Sequence, residues 1–431
     1  MNIMKEEFNN ISNDPKPTDS KSLEVGKDWQ KRYWFIFSGQ ALSIIGSSLT
    51  QFVLMWWIAD TTGSVSALAF AGTVALLPQA LLSPVGGVFA DRYSRRMMMI
   101  LADAVSAVCV VFLMILFLTD NIELWHIYLM MGIRGAMQAF QSPAVEASTA
   151  MLVPESFIPR AAGLNQILMG ATLVASAPLG ALAVGMMPLG WALSIDVFTA
   201  LLGIAPLFFF AIPQIRKKER HSYFLKEVLY ELNDGVTLVW KDRGLKRLFL
   251  LLGGIVLVIM PTFTFIPLLV KEYFKGGINE VSLMEALAGA GMVAGGVLVT
   301  IISPKRKMLW ILAGLGISCF AISFTALVPA NWFWLATFFW MISSIAFIFA
   351  NAPLTALLQT IIPNEIQGRV LSLLNMIMGL AAPVGLLIAN PLGEWIGLRF
   401  LFIVIGFLGG LVAFLGFSSK RLLDIEKKDL A

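Results

Sequence analysis

The chain has 431 residues, of which 58% are hydrophobic and only 13% are charged. Soluble globular proteins carry roughly 25% charged residues, so this composition excludes a soluble protein and indicates a membrane protein with many spans. The net charge of +4 does not indicate a nucleic-acid partner, because the basic residues stand between apolar runs, where membrane topology explains them.

The first 32 residues form a polar tail without the apolar core of a secretory signal. Twelve apolar runs follow, each long enough to cross a bilayer core of about 30 Å as a helix. Their predicted bounds are 33–58, 65–90, 97–119, 124–147, 161–186, 189–212, 247–270, 281–303, 308–329, 331–354, 369–392 and 396–418. The sequence therefore predicts an all-α integral membrane protein with twelve transmembrane helices.

One long connection divides the chain into two sets of six helices. The predicted segments are a tail 1–32, an N-terminal half 33–212, a central link 213–246, a C-terminal half 247–418 and a tail 419–431. Gly86-Gly87-Val88 recurs as Gly295-Gly296-Val297, and Met169-Gly170 recurs as Met378-Gly379 at the same offset of 209 residues. Two pseudo-symmetric halves around a central site are typical of many transporters.

The distribution of basic residues predicts the orientation in the membrane. Of the 31 Lys and Arg residues, 27 fall in the two tails, the central link and alternate short loops, three fall in the opposite links, and Arg134 lies within a helix. The positive-inside rule then places both termini in the cytoplasm. Seven tryptophans near the predicted outer ends agree, as interfacial anchors: Trp56, Trp57, Trp125, Trp191, Trp332, Trp334 and Trp395.

The link after the second predicted helix reads GGVFADRYSRRMMM, from Gly86 to Met99. Its three arginines hold the loop inside, but Asp91 needs another reason, because acids contribute little to topology. The pattern Gly87-x-x-x-Asp91-Arg92-x-x-Arg95-Arg96 resembles the signature loop of the major facilitator superfamily. Shorter stretches resemble the macrolide-efflux-like branch of drug–proton antiporters: "GQALSI" at 39–44, "SPAVEA" at 142–147 and "IDV" at 195–197.

The resemblance implies the major facilitator fold and a bacterial cytoplasmic-membrane exporter of amphipathic, hydrophobic compounds, such as macrolide antibiotics, driven by inward flow of protons. A siderophore, a lipid or a metabolite is the alternative cargo. The resemblance also implies that the loop holding Gly87, Asp91, Arg92, Arg95 and Arg96 meets the other half when the inner face is closed. We expect Asp91 to act as a latch on the N-terminus of the eleventh predicted helix, near Arg369, where free N–H groups carry partial positive charge.

Arg134 lies near the middle of the fourth predicted helix. An ionisable group there costs at least about 2.5 kcal/mol on insertion scales, so it indicates function by default. Gln138 and Gln141 follow at i+4 and i+7 and share its helical face, which we expect to line the substrate pathway. The alternative is that Arg134 pairs with an acid and only ties helices together.

Three acids inside predicted helices are candidates for proton coupling: Asp103, Asp196 and Glu285. Asp196 is also a candidate for substrate contact, with a structural hydrogen bond as its alternative. For Asp103 a structural role is favoured, because it can reach the Asp91–Arg96 loop. Glu285 falls near the outer end of the eighth predicted helix, as a gate residue or as part of a hydrated rim.

The first predicted helix carries one polar stripe, which consists of Gln40, Ser43, Ser47 and Gln51. The stripe predicts either a wall of the substrate pathway, with Gln40 and Gln51 as contacts, or hydrogen bonds between helices.

Several functions lack their sequence signatures. No G-x-x-x-x-G-K-[ST] phosphate loop occurs, so we expect no ATPase activity in this chain, and the sequence does not decide whether an ATP-binding partner protein associates with it. His126 and His221 belong to no metal-binding or triad pattern, so we expect no metal, no cofactor and no enzyme. The less favoured hypotheses for its function are a membrane enzyme and a membrane scaffold that transports nothing.

Overall fold

The computed structural model describes residues 28–210, 212, 237, 239–302, 306–362 and 364–427, and no strand occurs among them. Its twelve long helices are α1 Trp29–Thr62, α2 Val65–Arg92, α3 Arg95–Leu118, α4 Leu124–Leu152, α5 Ile158–Met186, α6 Leu189–Phe209, α7 Arg243–Glu272, α8 Ile278–Ile302, α9 Lys307–Leu327, α10 Phe333–Ile361, α11 Asn364–Ile396 and α12 Leu398–Gly416. A 3₁₀ turn, Glu155–Phe157, precedes α5, and the short helix α13 (Lys420–Leu423) follows α12.

Within the described ranges, eleven helices are long and apolar enough to cross a membrane. The twelfth long helix, α4, is less apolar because it holds Arg134, Gln138, Gln141 and Glu146. Large apolar side chains cover the outside of the bundle, among them Phe209 at 83% exposure. Such a surface suits contact with lipid chains and would cause aggregation in water. The predicted all-helical membrane fold is confirmed.

The two sets of six helices repeat the same packing. In the first set α2 packs on α4, α3 packs on α4 and α6, and α1 packs on α6. In the second set α8 packs on α10, α9 on α10 and α12, and α7 on α12. The sets meet along α2 with α11 and along α5 with α8, which are equivalent pairs. The pseudo-symmetry predicted from the repeated glycines is present.

The observed helix ends differ from the bounds predicted from hydropathy: α1, α4 and α10 run past their predicted last residues, whereas α6, α9 and α12 stop short of them. Capping groups set several of the observed ends. Gly63 ends α1 in the left-handed region (φ +57°), and the Ser64 side chain accepts a hydrogen bond from the Ala67 N–H at the start of α2. Ser94 caps α3 in the same way through Met97. An apolar window marks the membrane-embedded part of a helix, whereas caps mark where the helix stops.

The tryptophans at the predicted outer ends differ in exposure. Trp125, Trp334 and Trp395 are exposed, as interfacial anchors require, and Trp395 reaches 84%. Trp56 is only 8% exposed, and Trp57 packs edge-on against Phe117. The prediction that every one of these tryptophans is an anchor is therefore wrong for Trp56, which belongs to the core.

We call the end of the bundle that carries the α1–α2 link the outer end, after the orientation predicted from the charges. There the Lys271 ammonium of α7 lies 3.1 Å from the Asp60 carboxylate of α1 and also donates to the Asp60 carbonyl. The Ser66 hydroxyl of α2 lies 2.8 Å from Asn390 Oδ1 and also contacts the Glu394 carboxylate, both on α11. These contacts hold the outer ends of the two halves together.

The halves also touch near the middle of the bundle. A Cβ on Gly289 of α8 would stand 2.8 Å from the backbone carbonyl carbon of Leu173 of α5, so the two helices meet there without a side chain between them. On the other side, a Cβ on Gly379 of α11 would stand 3.8 Å from the Ala80 methyl group of α2. The contacts described between the halves thus run from the outer end to the middle.

The chain beyond the bundle is described in part. Residues 213–236, which form most of the predicted central link, lie outside the described residues. After α12 the chain folds back under the second half, where the Arg247 guanidinium donates to the Ser419 hydroxyl at 2.9 Å and Ile425 is buried.

Candidate functional site

A cavity of about 510 Å³ lies between the two halves. Seven helices line it: α1, α2, α4 and α5 of the first half face α7 and α8 of the second, and α3 adds Asp103 and Ser106. Sites for drug-sized ligands enclose roughly 300–1,000 Å³, so this cavity can hold one. Its polar lining includes Ser47, Gln51, Gln79, Arg134, Gln138 and Glu285, and its apolar lining includes Phe52, Met55, Met131 and Phe263.

Arg134 forms a buried ion pair with Asp196. Arg134 Nη2 lies 2.9 Å from Asp196 Oδ2, and the two side chains are 12% and 4% exposed. The Ser47 hydroxyl donates to Asp196 Oδ1 at 3.0 Å, so α1, α4 and α6 meet at this pair. Arg134 Nη1 is buried and has no hydrogen-bond partner among the described residues. Arg134 therefore pairs with an acid, as one alternative from the sequence predicted, and it also lines the cavity.

Asp103 lies in a second polar cluster in the same half. The Gln141 amide donates to Asp103 Oδ1 at 2.7 Å, Gln40 donates to Oδ2 at 3.0 Å, and the Ser43 hydroxyl donates to Oδ1 at 3.2 Å. The carboxylate thus binds neutral donors from α1 and α4, instead of reaching the Asp91–Arg96 loop as predicted. The structural role expected of Asp103 keeps its support, with different partners.

The polar stripe of α1 serves both predicted purposes. Gln40 is buried and binds Asp103, whereas Gln51 lines the cavity. Ser43 and Ser47 do both, since each donates to an acid and borders the cavity. A close approach of α1 to α6 allows these bonds: a Cβ on Gly46 would lie only 2.0 Å from the Thr199 hydroxyl oxygen.

The two glutamines that follow Arg134 on α4 separate in the structure. Gln141 is buried in the Asp103 cluster. Gln138 is exposed on the cavity wall, where its amide donates to the Ser142 hydroxyl at 3.1 Å. Both border the cavity, and Gln138 is the more exposed of the pair.

Glu285 of α8 borders the cavity, one helical turn before the point at which Gly289 meets α5. Among the described residues its carboxylate makes no hydrogen bond and no ion pair. α8 begins at Ile278, three residues before the predicted start, so Glu285 lies two turns into the helix, and its role as a gate residue or as part of a hydrated rim stays a prediction.

The arginines of the signature loop bind helix ends. Arg95 Nη1 donates to the Ala147 carbonyl near the end of α4 at 2.8 Å, and its Nε donates to the Ala90 carbonyl of α2 at 3.0 Å. Arg96 Nη2 donates to the Phe208 carbonyl at the end of α6 at 3.0 Å. Cations at helix C-termini satisfy free carbonyls and oppose the helix dipole. The loop therefore ties together the inner ends of α2, α4 and α6.

The remaining residues predicted to form the latch are Gly87, Asp91, Arg92 and Arg369, and the structure describes the side chains of only some of them. Gly87 lies in α2 with open space where a side chain would project, and Arg92 is the last residue of α2. The side chains of Asp91 and Arg369 lie outside the described residues, so their contact stays a prediction.

Sequence reasoning missed part of the cavity wall, above all Gln79 of α2 and Phe263 of α7. Gln79 carried a usable signal, because it is a lone amide in an apolar span. Phe263 carried none, since the sequence has 31 phenylalanines and nothing in it marks the one that faces the cavity.

The charged groups of the site are few. Its charges are fixed by partners within the wall, except on Glu285. No cluster of His, Cys, Asp or Glu with metal-binding geometry occurs in the described ranges of the chain. A wall of amides, hydroxyls and apolar side chains suits an amphipathic guest.

Comparisons with known proteins agree with this architecture. Macrolide efflux protein A of Streptococcus pyogenes is 28% identical over 409 residues, which span 95% of this chain and all of that protein. Macrolide efflux protein A of Enterococcus faecalis is 29% identical over 325 residues, which span 75% of this chain and all of that protein. Among solved structures, a bacterial homologue of the lysosomal transporter Spinster, inward-facing and unoccupied, aligns with a TM-score of 0.66 at 15% identity over 93% of this chain and 98% of that one.

The family model described as the Major Facilitator Superfamily matches residues 36–386, which include the signature loop, the cavity and both halves of the repeat. The chain belongs to the Major Facilitator Superfamily of transporters.

Proposed function

We propose that this protein is a secondary active efflux transporter of amphipathic, hydrophobic compounds, macrolide antibiotics among them, in the bacterial cytoplasmic membrane. The observation that carries the proposal is a drug-sized cavity between two pseudo-symmetric halves, lined by Arg134, whose guanidinium is paired behind the wall with the buried Asp196. The names of the curated relatives support macrolides as cargo.

Contacts between the halves support an alternating-access mechanism. The outer contacts Lys271–Asp60 and Ser66–Asn390 join the halves while the cavity is present. Export needs these contacts to break and contacts at the inner end to form. The signature loop, tied to three helix ends by Arg95 and Arg96, is suited to move with its half as one body, and Asp91 would then reach the start of α11 near Arg369. The charge distribution supports cytoplasmic termini.

The three candidate acids differ in how ready each is to exchange a proton. Asp196 is held by the Arg134 guanidinium, and Asp103 by three neutral donors. Glu285 has neither kind of partner among the described residues. When neither a cation nor a hydrogen-bond donor stabilises a carboxylate, binding of a proton is favoured. We therefore place Glu285 first for proton coupling, and Asp196 second, since losing its arginine would free it.

Efflux from cells that express the protein tests the proposal. A panel should include macrolides, other amphipathic antibiotics, a siderophore and a fluorescent lipid, each with and without a protonophore. We expect macrolide export that the protonophore abolishes. Export of only the siderophore or the lipid would favour the alternative cargo, and export that persists without a proton gradient would remove the proton from the mechanism.

A further inference from the structure

The two halves contribute different charges to the cavity. Its ionisable lining residues in the described chain are Asp103, Arg134 and Glu285. The first two belong to the N-terminal half and are compensated within it: Asp103 by three neutral donors, and Arg134 by Asp196. Glu285 comes from the C-terminal half and has no such compensation among the described residues. The cavity therefore holds one carboxyl group, that of Glu285, for which the described wall supplies neither a cation nor a hydrogen-bond donor.

No neighbouring helix offers Glu285 a cation. The helices packed on α8 are α5, α7 and α10. α10 has no ionisable residue, and the only one on α5 is Arg160, at its inner end. The ionisable residues of α7 stand at its two ends, where Lys271 is bound to Asp60. On α8 itself the other acid is Glu280, at the outer start of the helix, where it accepts a hydrogen bond from the Gly277 N–H.

Glu285 is partly buried, and partial burial penalises a charged carboxylate that no group of the protein pairs, so a cation or a proton from outside the protein would stabilise it. A small metal ion is a poor match, because hard cations require several oxygen ligands. The rest of the wall instead suits an organic cation: Phe52 and Phe263 offer aromatic faces, and Met55 and Met131 offer adaptable apolar contacts. Phe263 is fixed by Trp340, at 5.0 Å between ring centroids.

We propose that Glu285 recognises a protonated amine on the exported compound, so that this transporter selects amphipathic monocations over neutral compounds of the same shape. Gln51, Gln79 and Gln138 then offer amide donors and acceptors to the oxygens of the guest. One carboxylate holds a proton or an ammonium group but not both, so arrival of the substrate displaces the proton. The inference rests on the proposed export function and adds that the exported compound must carry a positive charge.

Binding to the purified, full-length protein tests the inference without transport. The probes are a macrolide with one tertiary amine and the same macrolide with a neutral hydroxyl in place of the amine. We expect wild type to bind the amine form about tenfold more tightly, which corresponds to about 1.4 kcal/mol. Glu285→Gln should reduce that preference to within about twofold by weakening only the amine form. Glu280→Gln, the matched change on the same helix, should keep the full preference.

Equal binding of both probes by wild type overturns the inference. So does an equal loss of both probes in Glu285→Gln with an unchanged melting temperature, since that result assigns Glu285 to the shape of the cavity. Transport of the same two compounds separates this inference from the proposed function. Equal export of both compounds refutes amine selection and leaves export standing. Tight, amine-dependent binding without export of either refutes the export function and leaves amine recognition standing.

Discussion

The two halves share a packing pattern but differ in what lies inside them. The N-terminal half joins α1, α3, α4 and α6 through the Arg134–Asp196 pair and the Asp103 cluster. At the offset of 209 residues, Arg134 corresponds to Ser343 of α10, whose hydroxyl lies 3.0 Å from that of Ser318 on α9. The middles of α9, α10 and α12 carry no charged residue. The two halves thus share a helix-packing arrangement, while among the described residues only the N-terminal half has charged hydrogen-bonded clusters between the middles of its helices.

This difference indicates a division of roles. Hydrogen bonds between membrane helices contribute only about 0.6 kcal/mol each on average, so the polar clusters are poorly explained by stability alone. They fix the positions of Arg134 and Gln138 against the cavity. The C-terminal half, packed through apolar side chains such as Trp340 and Phe402, contributes Glu285 and Phe263 to the cavity.

The largest expected loss of export comes from removing the Arg134 charge, since this charge distinguishes the interior of the N-terminal half from that of the C-terminal half. Arg134→Ala leaves Asp196 buried without its cation, and breaking a buried pair in this way costs about 3–5 kcal/mol. We expect macrolide export to be abolished and the melting temperature in detergent to fall. Arg134→Lys should restore export only in part, because lysine lacks the planar guanidinium that binds both Asp196 and the Ser47 carbonyl.

Ser343→Ala is the matched change in the other half. It removes one neutral hydrogen bond, which contributes about 1 kcal/mol, and it should leave export nearly unchanged. If both alanine variants reduce export to the same extent, the two halves are functionally equivalent at this level and the division of roles is wrong.

A smaller effect is expected from the glycine that lets α1 approach α6. Gly46→Ala places a methyl group against the Thr199 hydroxyl, 2.0 Å from the ideal Cβ, and overpacking of this kind costs about 1–3 kcal/mol. We expect a lower melting temperature and weaker export, because Ser43 and Ser47 shift away from their acids.

The control is Gly254→Ala on α7, where no atom lies within 4 Å of the added Cβ. Alanine there should be neutral or stabilising by up to about 1 kcal/mol, since it favours the helix. A stability loss equal to that of Gly46→Ala would mean that both changes act through the helix backbone and not through the α1–α6 contact.

The smallest expected effect concerns the contact that joins the halves at the outer end. The Lys271–Asp60 pair is partly exposed, so Lys271→Ala should cost only about 0.2–1 kcal/mol. We expect a modest shift toward longer distances between spin labels at Asn121 and Ala330, which lie on outer links of opposite halves. The charge-swapped variant Asp60→Lys with Lys271→Asp should restore the original distribution, and a swap that behaves like the single change would show that the pair does not hold the halves.

Much of the fold could be predicted from the sequence, because apolar length, basic loops and repeated glycines are local signals. Arg134 was equally visible, as a charge in an apolar span. Its partner Asp196, 62 residues away, was not, since which acid meets it depends on how α4 and α6 pack. Asp103 was assigned to the nearby loop for the same reason, although its partners come from α1 and α4. That Glu285 borders the cavity could not be predicted either, since it depends on how α8 packs against the first half.

The most direct test of the account is uptake of a macrolide into proteoliposomes that contain only this protein, with an imposed proton gradient. We predict that the compound accumulates against its own gradient when protons flow the opposite way, and that a protonophore collapses this accumulation. Glu285→Gln should fail to concentrate the compound, while Glu280→Gln should match wild type. The account would be contradicted by equal macrolide uptake with and without the proton gradient, or by no uptake from a correctly folded wild-type protein.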